Sequence, residues 1–177
     1  MSAIKPNAVG NAARNTPLSH KRYLIFDFDY TLVDSSHGIF LCVCYALQQL
    51  HHAIPDFQAV AHTIGHPIVD KYTLLTGITD HEARQQFKHY YLQAAAMPDS
   101  PLVNNTHAFP HCVDLLRMAQ QQGLLLAIVS TKTRRSLEAS LDKVELRAYF
   151  DFILGGDDVR QNKPHPEGLI KTLEHWN

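Results

Sequence analysis

The chain has 177 residues, 45% of them hydrophobic, and a formal net charge of −1. This length fits one domain, or one core with an insert, and the apolar content supports a sizeable hydrophobic core. The composition has no basic block, which argues against nucleic acid as a partner, and no apolar run reaches the roughly 18 residues of a membrane span.

Two features of the sequence bear on the cellular environment. Residues 1–20 are rich in Ala, Asn and Pro and carry no acidic side chain. This composition predicts a disordered tail, with an organelle transit peptide as the alternative. Cys42, Cys44 and Cys112 are an odd count without a signal peptide, which predicts reduced thiols in a cytoplasmic protein.

The first predicted strand is the apolar run 23–26, which is followed directly by the sequence Asp27-Phe28-Asp29-Tyr30-Thr31. Side chains two apart in an extended segment point the same way, so Asp27 and Asp29 can face one site. Two close carboxylates repel each other, so a metal cation, a proton or a basic side chain must compensate them. The alternative interpretation is an acidic turn that ends a strand.

Residues 36–104 are predicted to be helical. Pro67 suits the first turn of a helix, and Gly77 suits the end of one. Thr79 with Glu82 forms a capping-box pattern, which predicts the start of a longer helix. We therefore expect a small helical unit that two linkers join to the rest of the chain.

Two further apolar runs, 124–129 and 150–154, are predicted to be strands that end in polar loops. The first loop begins with Ser130 and Thr131, and the loop after the second run leads to Lys163 and a last helix. In an open parallel sheet, the loops at the carboxyl ends of the strands form the ligand crevice. The acids, a hydroxyl group and a lysine should therefore meet at one edge, where they can hold an anionic substrate with a divalent cation.

Several of these polar residues have a simpler interpretation. Ser130 could cap the following helix, and Lys163 could be an ordinary surface lysine. Lys132 is expected to be solvated rather than catalytic. Asp157 and Asp158 are expected to form a solvated turn with a helix-capping role, although they could be imagined as metal ligands.

The order, context and spacing of these segments resemble the haloacid dehalogenase superfamily of phosphohydrolases, from about residue 23 to the end of the chain. Its first motif is matched by Asp27, Asp29 and Thr31, its second by Ser130 and its third by Lys163. The chain is most similar to the phosphoglycolate phosphatase-like branch, in which an insert follows the first motif. The dehalogenases lack the second aspartate of the first motif, so Asp29 favours phosphoryl transfer.

The resemblance implies an α/β fold with a Rossmann-like parallel sheet in a discontinuous core, residues 21–35 and 105–177, and an inserted α-helical cap, residues 36–104. The family's fourth motif, an acidic loop after another strand, does not follow Lys163 before the sequence stops at Asn177. We therefore expect a chain truncated at its carboxyl end, which lacks the last strands. An exposed sheet edge would then be available for self-association.

For catalysis, the resemblance implies a two-step phosphoryl transfer. Asp27 would attack phosphorus and form an aspartyl-phosphate. Asp29 would protonate the leaving oxygen and then activate water for the second step. A Mg²⁺ ion would bind the Asp27 carboxylate and the backbone carbonyl of Asp29.

For the substrate, the resemblance implies a small phosphorylated metabolite. Ser130 would donate a hydrogen bond to a phosphoryl oxygen, and Lys163 would neutralise charge in the transition state. Thr31 and Thr131 are candidate orienting groups.

Two hypotheses follow from the sequence. The first is a Mg²⁺-dependent phosphatase that acts on a small phosphomonoester of the phosphoglycolate or sugar phosphate type. The alternative is a truncated, catalytically impaired remnant that binds phosphorylated ligands or pairs with another chain. A mutase is a weaker third option, since nothing in the sequence indicates a returning phosphoryl group.

Overall fold

The computed structural model describes residues 22–176 of the chain. Its regular elements are, in chain order, β1 (Tyr23–Phe26), β2 (Val33–Asp34), α1 (Ser36–Gln49), α2 (Phe57–Ala61), α3 (Ile68–Thr76), α4 (His81–Ala95), α5 (Pro101–Asn104), β3 (His107–Ala108), α6 (Cys112–Gln121), β4 (Leu125–Val129), α7 (Arg134–Lys143), β5 (Phe152–Leu154) and α8 (Glu167–Trp176). The fold is therefore α/β, as predicted. A short 3₁₀ turn at Arg147–Tyr149 precedes β5.

The central sheet is parallel and has the order β1-β4-β5 in the described part of the chain. Phe26 is opposite Ile128, and Val129 is opposite Leu154, so the three strands end at nearly the same level. The loops that follow them begin at Asp27, at Ser130 and at Gly155, respectively. The prediction that these loops share one edge of a parallel sheet is confirmed.

The sheet has a hydrophobic core of its own. Phe28, Leu126 and Ile128 are completely buried there, together with Leu116 of α6 and Leu137 of α7. The run predicted at 124–129 forms β4 from Leu125 onward, and its side chains from Leu126 to Val129 are buried, as in strands that are covered on both faces.

Helices α1 to α5 enclose a second hydrophobic core. Its largest buried side chains include Leu47, Tyr72, Phe87 and Leu102, which come from four different helices. The prediction that 36–104 is helical is confirmed. The division into a core at 21–35 and 105–177 and a cap at 36–104 stays a prediction.

The boundaries predicted at Pro67 and Gly77 hold in this unit, and the one predicted at Thr79 does not. Pro67 directly precedes α3, and Gly77 ends it in the left-handed conformation, with a φ of 75°. The predicted capping box at Thr79 is wrong by one position, because the carboxylate of Asp80 accepts the Ala83 N–H at 2.9 Å. Aspartate is a somewhat better N-cap than threonine, and its negative charge favours the positive end of the helix dipole.

The predictions for residues 1–20 stay predictions, because these residues lie outside the described part of the chain. Cys42 and Cys112 are buried, and neither they nor Cys44 form a disulfide. Across residues 22–176, no helix combines the length and the apolar character needed to cross a membrane.

Candidate active site

The loop after β1 is a tight turn built around Phe28. The side chain of Phe28 is fully buried, and its carbonyl accepts the backbone N–H of Leu32 at 2.9 Å. Tyr30 takes a positive φ of 61°, which turns the chain back sharply. Burial of Phe28 fixes the backbone, so that the carboxylates of Asp27 and Asp29 on either side are held in place.

Asp27 is paired with Lys163. The Lys163 Nζ lies 2.7 Å from the Asp27 Oδ2, and it also donates to the Val129 carbonyl at 3.2 Å. Both side chains are about one-third exposed (35% and 33%). The structure thus brings the predicted first and third motifs together, and the lysine connects the ends of β1 and β4.

Glu167 fixes the loop that carries Lys163. Its carboxylate accepts the backbone N–H groups of Arg160 at 3.0 Å and Gln161 at 2.9 Å. The same carboxylate pairs with Lys171 at 3.0 Å, one turn further along α8. These hydrogen bonds, the Arg160 N–H first, lower the pKa of Glu167 to about 2.

Replacing Glu167 with Gln is expected to lower kcat about tenfold. The variant loosens the loop that carries Lys163, and a small displacement of a group expected to contact the substrate weakens catalysis strongly. The folded pKa of Glu167 is depressed, so the carboxylate holds the loop above pH 4.5 and releases it only as the pH falls towards 2. The rate ratio between wild type and variant should therefore be constant from about pH 5 to pH 8. Steady-state kinetics of the wild type, of Glu167→Gln and of the exposed control Glu174→Gln measures this ratio. An unchanged kcat in Glu167→Gln would show that Glu167 does not position the Lys163 loop for catalysis.

Asp29 is paired with a different lysine, Lys132. The Lys132 Nζ lies 3.0 Å from one carboxylate oxygen and 3.4 Å from the other, and the Ser35 hydroxyl donates to the same carboxylate. The pair is well buried, with 5% of the Lys132 side chain and 11% of the Asp29 side chain exposed.

The prediction that Lys132 is solvated is therefore wrong. The Lys132 N–H donates to the Ser130 hydroxyl at 3.1 Å, and the Lys132 carbonyl accepts the Gly156 N–H at 2.7 Å. These two bonds fix the loop after β4, so the side chain is directed inward, with its Nζ 5.6 Å from the centre of the Phe28 ring.

The repulsion between the two carboxylates is thus compensated by two basic side chains. The residues also fit Mg²⁺, because this ion commonly binds one or two carboxylates and completes its shell with water and substrate phosphate. The Asp27 carboxylate is exposed enough to bind the ion. The Asp29 carboxylate is buried and paired with Lys132, so Asp29 would offer its backbone carbonyl as the ligand instead. Residues 22–176 contain no cluster of three or more His, Cys, Asp or Glu side chains at metal-binding distance.

Ser130 lies at the end of β4, as predicted, and is buried. Its hydroxyl accepts the Lys132 N–H and, among the contacts of the described residues, donates to none. The alternative role as helix cap is wrong, because Thr133 directly precedes α7 and its hydroxyl accepts the Ser136 N–H. The Ser130 hydroxyl hydrogen is therefore available to an anion.

The two threonines of the predicted site differ in environment. The Thr131 hydroxyl donates to the Gly65 carbonyl at 3.2 Å and so joins the β4 loop to the segment between α2 and α3. Thr31 is exposed, and its side chain forms no hydrogen bond within the described part of the chain. The structure places Thr131, but not Thr31, beside the cleft described next.

A small, partly open cleft lies between the helical unit and the β4 loop, with room for little more than one small polar group. Its polar lining includes Asp29, Lys71, Tyr91, Thr131 and Lys132, while neither Asp27 nor Lys163 lines it. Sequence reasoning missed Lys71 and Tyr91. A single lysine or tyrosine among apolar helix residues carries no local signal of a site, because its position depends on packing between distant segments.

Asp157 and Asp158 are structural, as expected. The Asp157 Oδ1 accepts the backbone N–H of Arg134, the first residue of α7, at 2.6 Å. The Asp158 Oδ2 accepts the Gly155 N–H at 2.8 Å and pairs with the Arg134 guanidinium at 3.3 Å. Both carboxylates therefore hold the β5 loop against α7.

An Asp157→Ala variant is expected to lose about 1 kcal/mol of unfolding free energy, the usual effect of removing a carboxylate that caps a helix. Its kcat should change by less than about threefold, because no site residue contacts Asp157. Urea denaturation checks the first value, with Asp142→Ala as an exposed control on α7. A loss of activity at unchanged stability would instead indicate a direct role in catalysis.

Comparison with known proteins agrees with this geometry. The family model described as haloacid dehalogenase-like hydrolase matches residues 24–177. The chain is 34% identical to the probable phosphatase IndB of Dickeya dadantii over 85% of its own length and 66% of that protein. It is 29% identical to the phosphoglycolate phosphatase of Escherichia coli K12, over 86% of this chain and 68% of that one.

Solved structures are similar over the same region. A haloacid dehalogenase-like protein from Bacteroides fragilis superposes with a TM-score of 0.81 and 34% identity, over 88% of this chain and 72% of that one. A hydrolase from Pseudomonas syringae gives a TM-score of 0.70 at 25% identity, over 85% and 68%. The chain thus spans about two thirds of the length of the curated relatives that it matches. It belongs to the haloacid dehalogenase-like hydrolase family.

Proposed function

We propose that the chain is a Mg²⁺-dependent phosphatase that hydrolyses a small phosphomonoester through an aspartyl-phosphate on Asp27. The observation that carries this proposal is the contact of 2.7 Å between Asp27 and Lys163 at the end of the parallel sheet. Ser130 follows the neighbouring strand and has a free hydroxyl hydrogen. A nucleophile, a cation and a hydrogen-bond donor are the groups that phosphoryl transfer requires.

In this proposal, the Asp27 carboxylate attacks phosphorus and the Lys163 ammonium offsets the charge on the phosphoryl oxygens. Lys163 is also hydrogen-bonded to the Val129 carbonyl, which keeps it at the strand ends when Asp27 is modified. The cation is thus positioned before the reaction, so no reorganisation is needed in the transition state.

Asp29 would have to be protonated first; it would then give this proton to the leaving oxygen, and the resulting carboxylate would take a proton from the attacking water. The Lys132 ammonium and the Ser35 hydroxyl both bond its carboxylate, so its position is fixed from two sides. A fixed carboxylate is more effective in proton transfer than a mobile one, because the donor and acceptor are already aligned.

Mg²⁺, held by the Asp27 carboxylate and the Asp29 carbonyl, would screen the attacking carboxylate from the phosphate charge. The substrate class is proposed from the relatives, several of which are named phosphoglycolate phosphatase. A sugar phosphate is the other candidate. A cytoplasmic location, with a small phosphorylated metabolite as the partner, is part of the same proposal.

A second candidate is a protein that binds phosphorylated ligands without turning them over, alone or paired with another chain. The observation that favours it is that lysines occupy both carboxylates, Asp27 and Asp29. Within the described sheet, β1 has only β4 as a neighbour, so its other edge is the surface for self-association.

Hydrolysis of p-nitrophenyl phosphate decides between the two. Turnover should require Mg²⁺, stop on addition of EDTA, and be lost when Asp27 is replaced. A folded chain that binds phosphate esters and does not hydrolyse them would support the second candidate. Turnover that is the same without the metal or without Asp27 would overturn the proposed mechanism.

A further inference from the structure

Lys71 is a buried lysine that the proposed mechanism does not use. It lies on α3 with 4% of its surface exposed, and its Nζ donates to the Thr63 carbonyl at 2.5 Å. No carboxylate of residues 22–176 lies within ion-pair distance of it. An ammonium group needs three acceptors and a counterion, so this lysine is only partly compensated.

The bond to Thr63 does not explain why a lysine is present. The Thr63 carbonyl also accepts the His66 N–H at 3.1 Å, so it stays satisfied without the lysine. An apolar side chain of similar length would therefore fill the position with less electrostatic cost. A purely structural role is a weak explanation.

The charges around Lys71 leave a positive surplus in the cleft. The cleft is lined by two lysines, Lys71 and Lys132, by the imidazole of His66, and by one carboxylate, Asp29, which Lys132 already pairs with. Burial lowers the pKa of Lys71 to about 8. The nearby charge of Asp29 raises this pKa and that of Lys132 lowers it, but both effects are smaller than the effect of burial. This cleft is therefore suited to receive one negative charge.

We propose that Lys71, together with Lys132, binds a carboxylate of the substrate, and that the preferred substrate is a short phosphomonoester carrying this second anionic group. Lys71 would then be a specificity-determining residue supplied by the helical unit. The inference rests on the proposed phosphatase function, because it assumes that the phosphoryl group occupies the site at Asp27.

The position of the cleft agrees with a short substrate. Asp29 lines the cleft and is two residues from Asp27 in the turn after β1. In this proposal a short ligand would extend from Asp27 past Asp29 to Lys71. The bond between Thr131 and the Gly65 carbonyl holds the β4 loop beside α3, which keeps both lysines at the same cleft. A sugar phosphate has no carboxylate and would leave Lys71 unpaired.

Calorimetric binding tests the inference without relying on turnover. The ligands are phosphonopropionate, in which CH₂ replaces the ester oxygen of phosphoglycolate, and propylphosphonate, which lacks the carboxylate. With Mg²⁺ present, the wild type should bind the first at least about tenfold more tightly, the usual effect of a hydrogen bond between charged groups. Lys71→Met should remove this preference, and the exposed control Lys88→Met should retain it.

Two results would overturn the inference: equal affinity of the wild type for both phosphonates, or a preference that survives in Lys71→Met. Its failure is distinguishable from failure of the proposed function. If p-nitrophenyl phosphate is hydrolysed but no carboxylate preference is found, only the inference fails. If the preference depends on Lys71 but no ester is hydrolysed, the phosphatase proposal fails and the anion site stands.

Discussion

Replacing Asp27 with Asn is expected to lower kcat by at least about 10⁴-fold, the scale of effect seen when an enzyme loses its nucleophile. The amide is a far weaker nucleophile than the carboxylate, and it cannot form the aspartyl-phosphate that divides the reaction into two steps. A general loss through unfolding is not expected. Asp27 and Lys163 are each about one-third exposed, so their ion pair contributes at most about 1 kcal/mol to stability.

The measurement is the rate of p-nitrophenyl phosphate hydrolysis by the variant and the wild type, with Mg²⁺ in excess. Circular dichroism and urea denaturation show whether the variant is folded, and the exposed Asp99→Asn serves as the matched control. A variant that keeps more than about one hundredth of the wild-type kcat would exclude Asp27 as nucleophile, because other groups rarely replace one so well.

The sheet edge and its motifs were predictable because they depend on local patterns. A buried strand needs a run of apolar residues, and a parallel sheet brings the ends of such runs to the same side. Asp27, Ser130 and Lys163 each follow one of these runs, so their convergence follows from the topology. The structure brings Asp27 and Lys163 into contact and places Ser130 at the next strand end.

The two lysines of the cleft were not predictable, because their burial depends on contacts between distant segments. Lys132 stands in a short polar loop, which normally indicates solvation, yet its partner Asp29 lies 103 positions away in the sequence. Lys71 is buried where α3 approaches the β4 loop, and the bond from Thr131 to Gly65 spans 66 positions. No window of local sequence contains both sides of such a contact.

Lys71→Met is expected to stabilise the protein, by up to about 3 kcal/mol near neutral pH. The pKa of Lys71 is about 8 in the folded chain, against 10.5 in the unfolded one. Each pH unit of this difference makes protonation about 1.4 kcal/mol less favourable in the folded chain, and this free energy is the destabilisation that the variant removes. The charged groups that act on it are Asp29 and Lys132, while Asp70 of the same helix pairs with Arg84. The imidazole of His66 lines the same cleft.

The sign of the pH dependence follows from the direction of the pKa shift. A lysine with a lowered folded pKa destabilises the protein fully below pH 8, and the penalty fades between pH 8 and the ordinary pKa of 10.5. The advantage of Lys71→Met should therefore be constant from about pH 6 to pH 7.5 and should shrink by pH 9.5. Urea denaturation across this range measures it, with Lys88→Met as the control.

A stabilising loss of Lys71 would have a specific meaning for function. A lysine kept for structure should destabilise the protein when it is removed, whereas one kept for a ligand should stabilise the free protein and weaken the complex. Phosphonopropionate should accordingly raise the thermal midpoint of the wild type more than that of Lys71→Met, because ligand binding stabilises the folded state by mass action. A variant that is less stable than the wild type at every pH would place Lys71 among the structural residues of the fold.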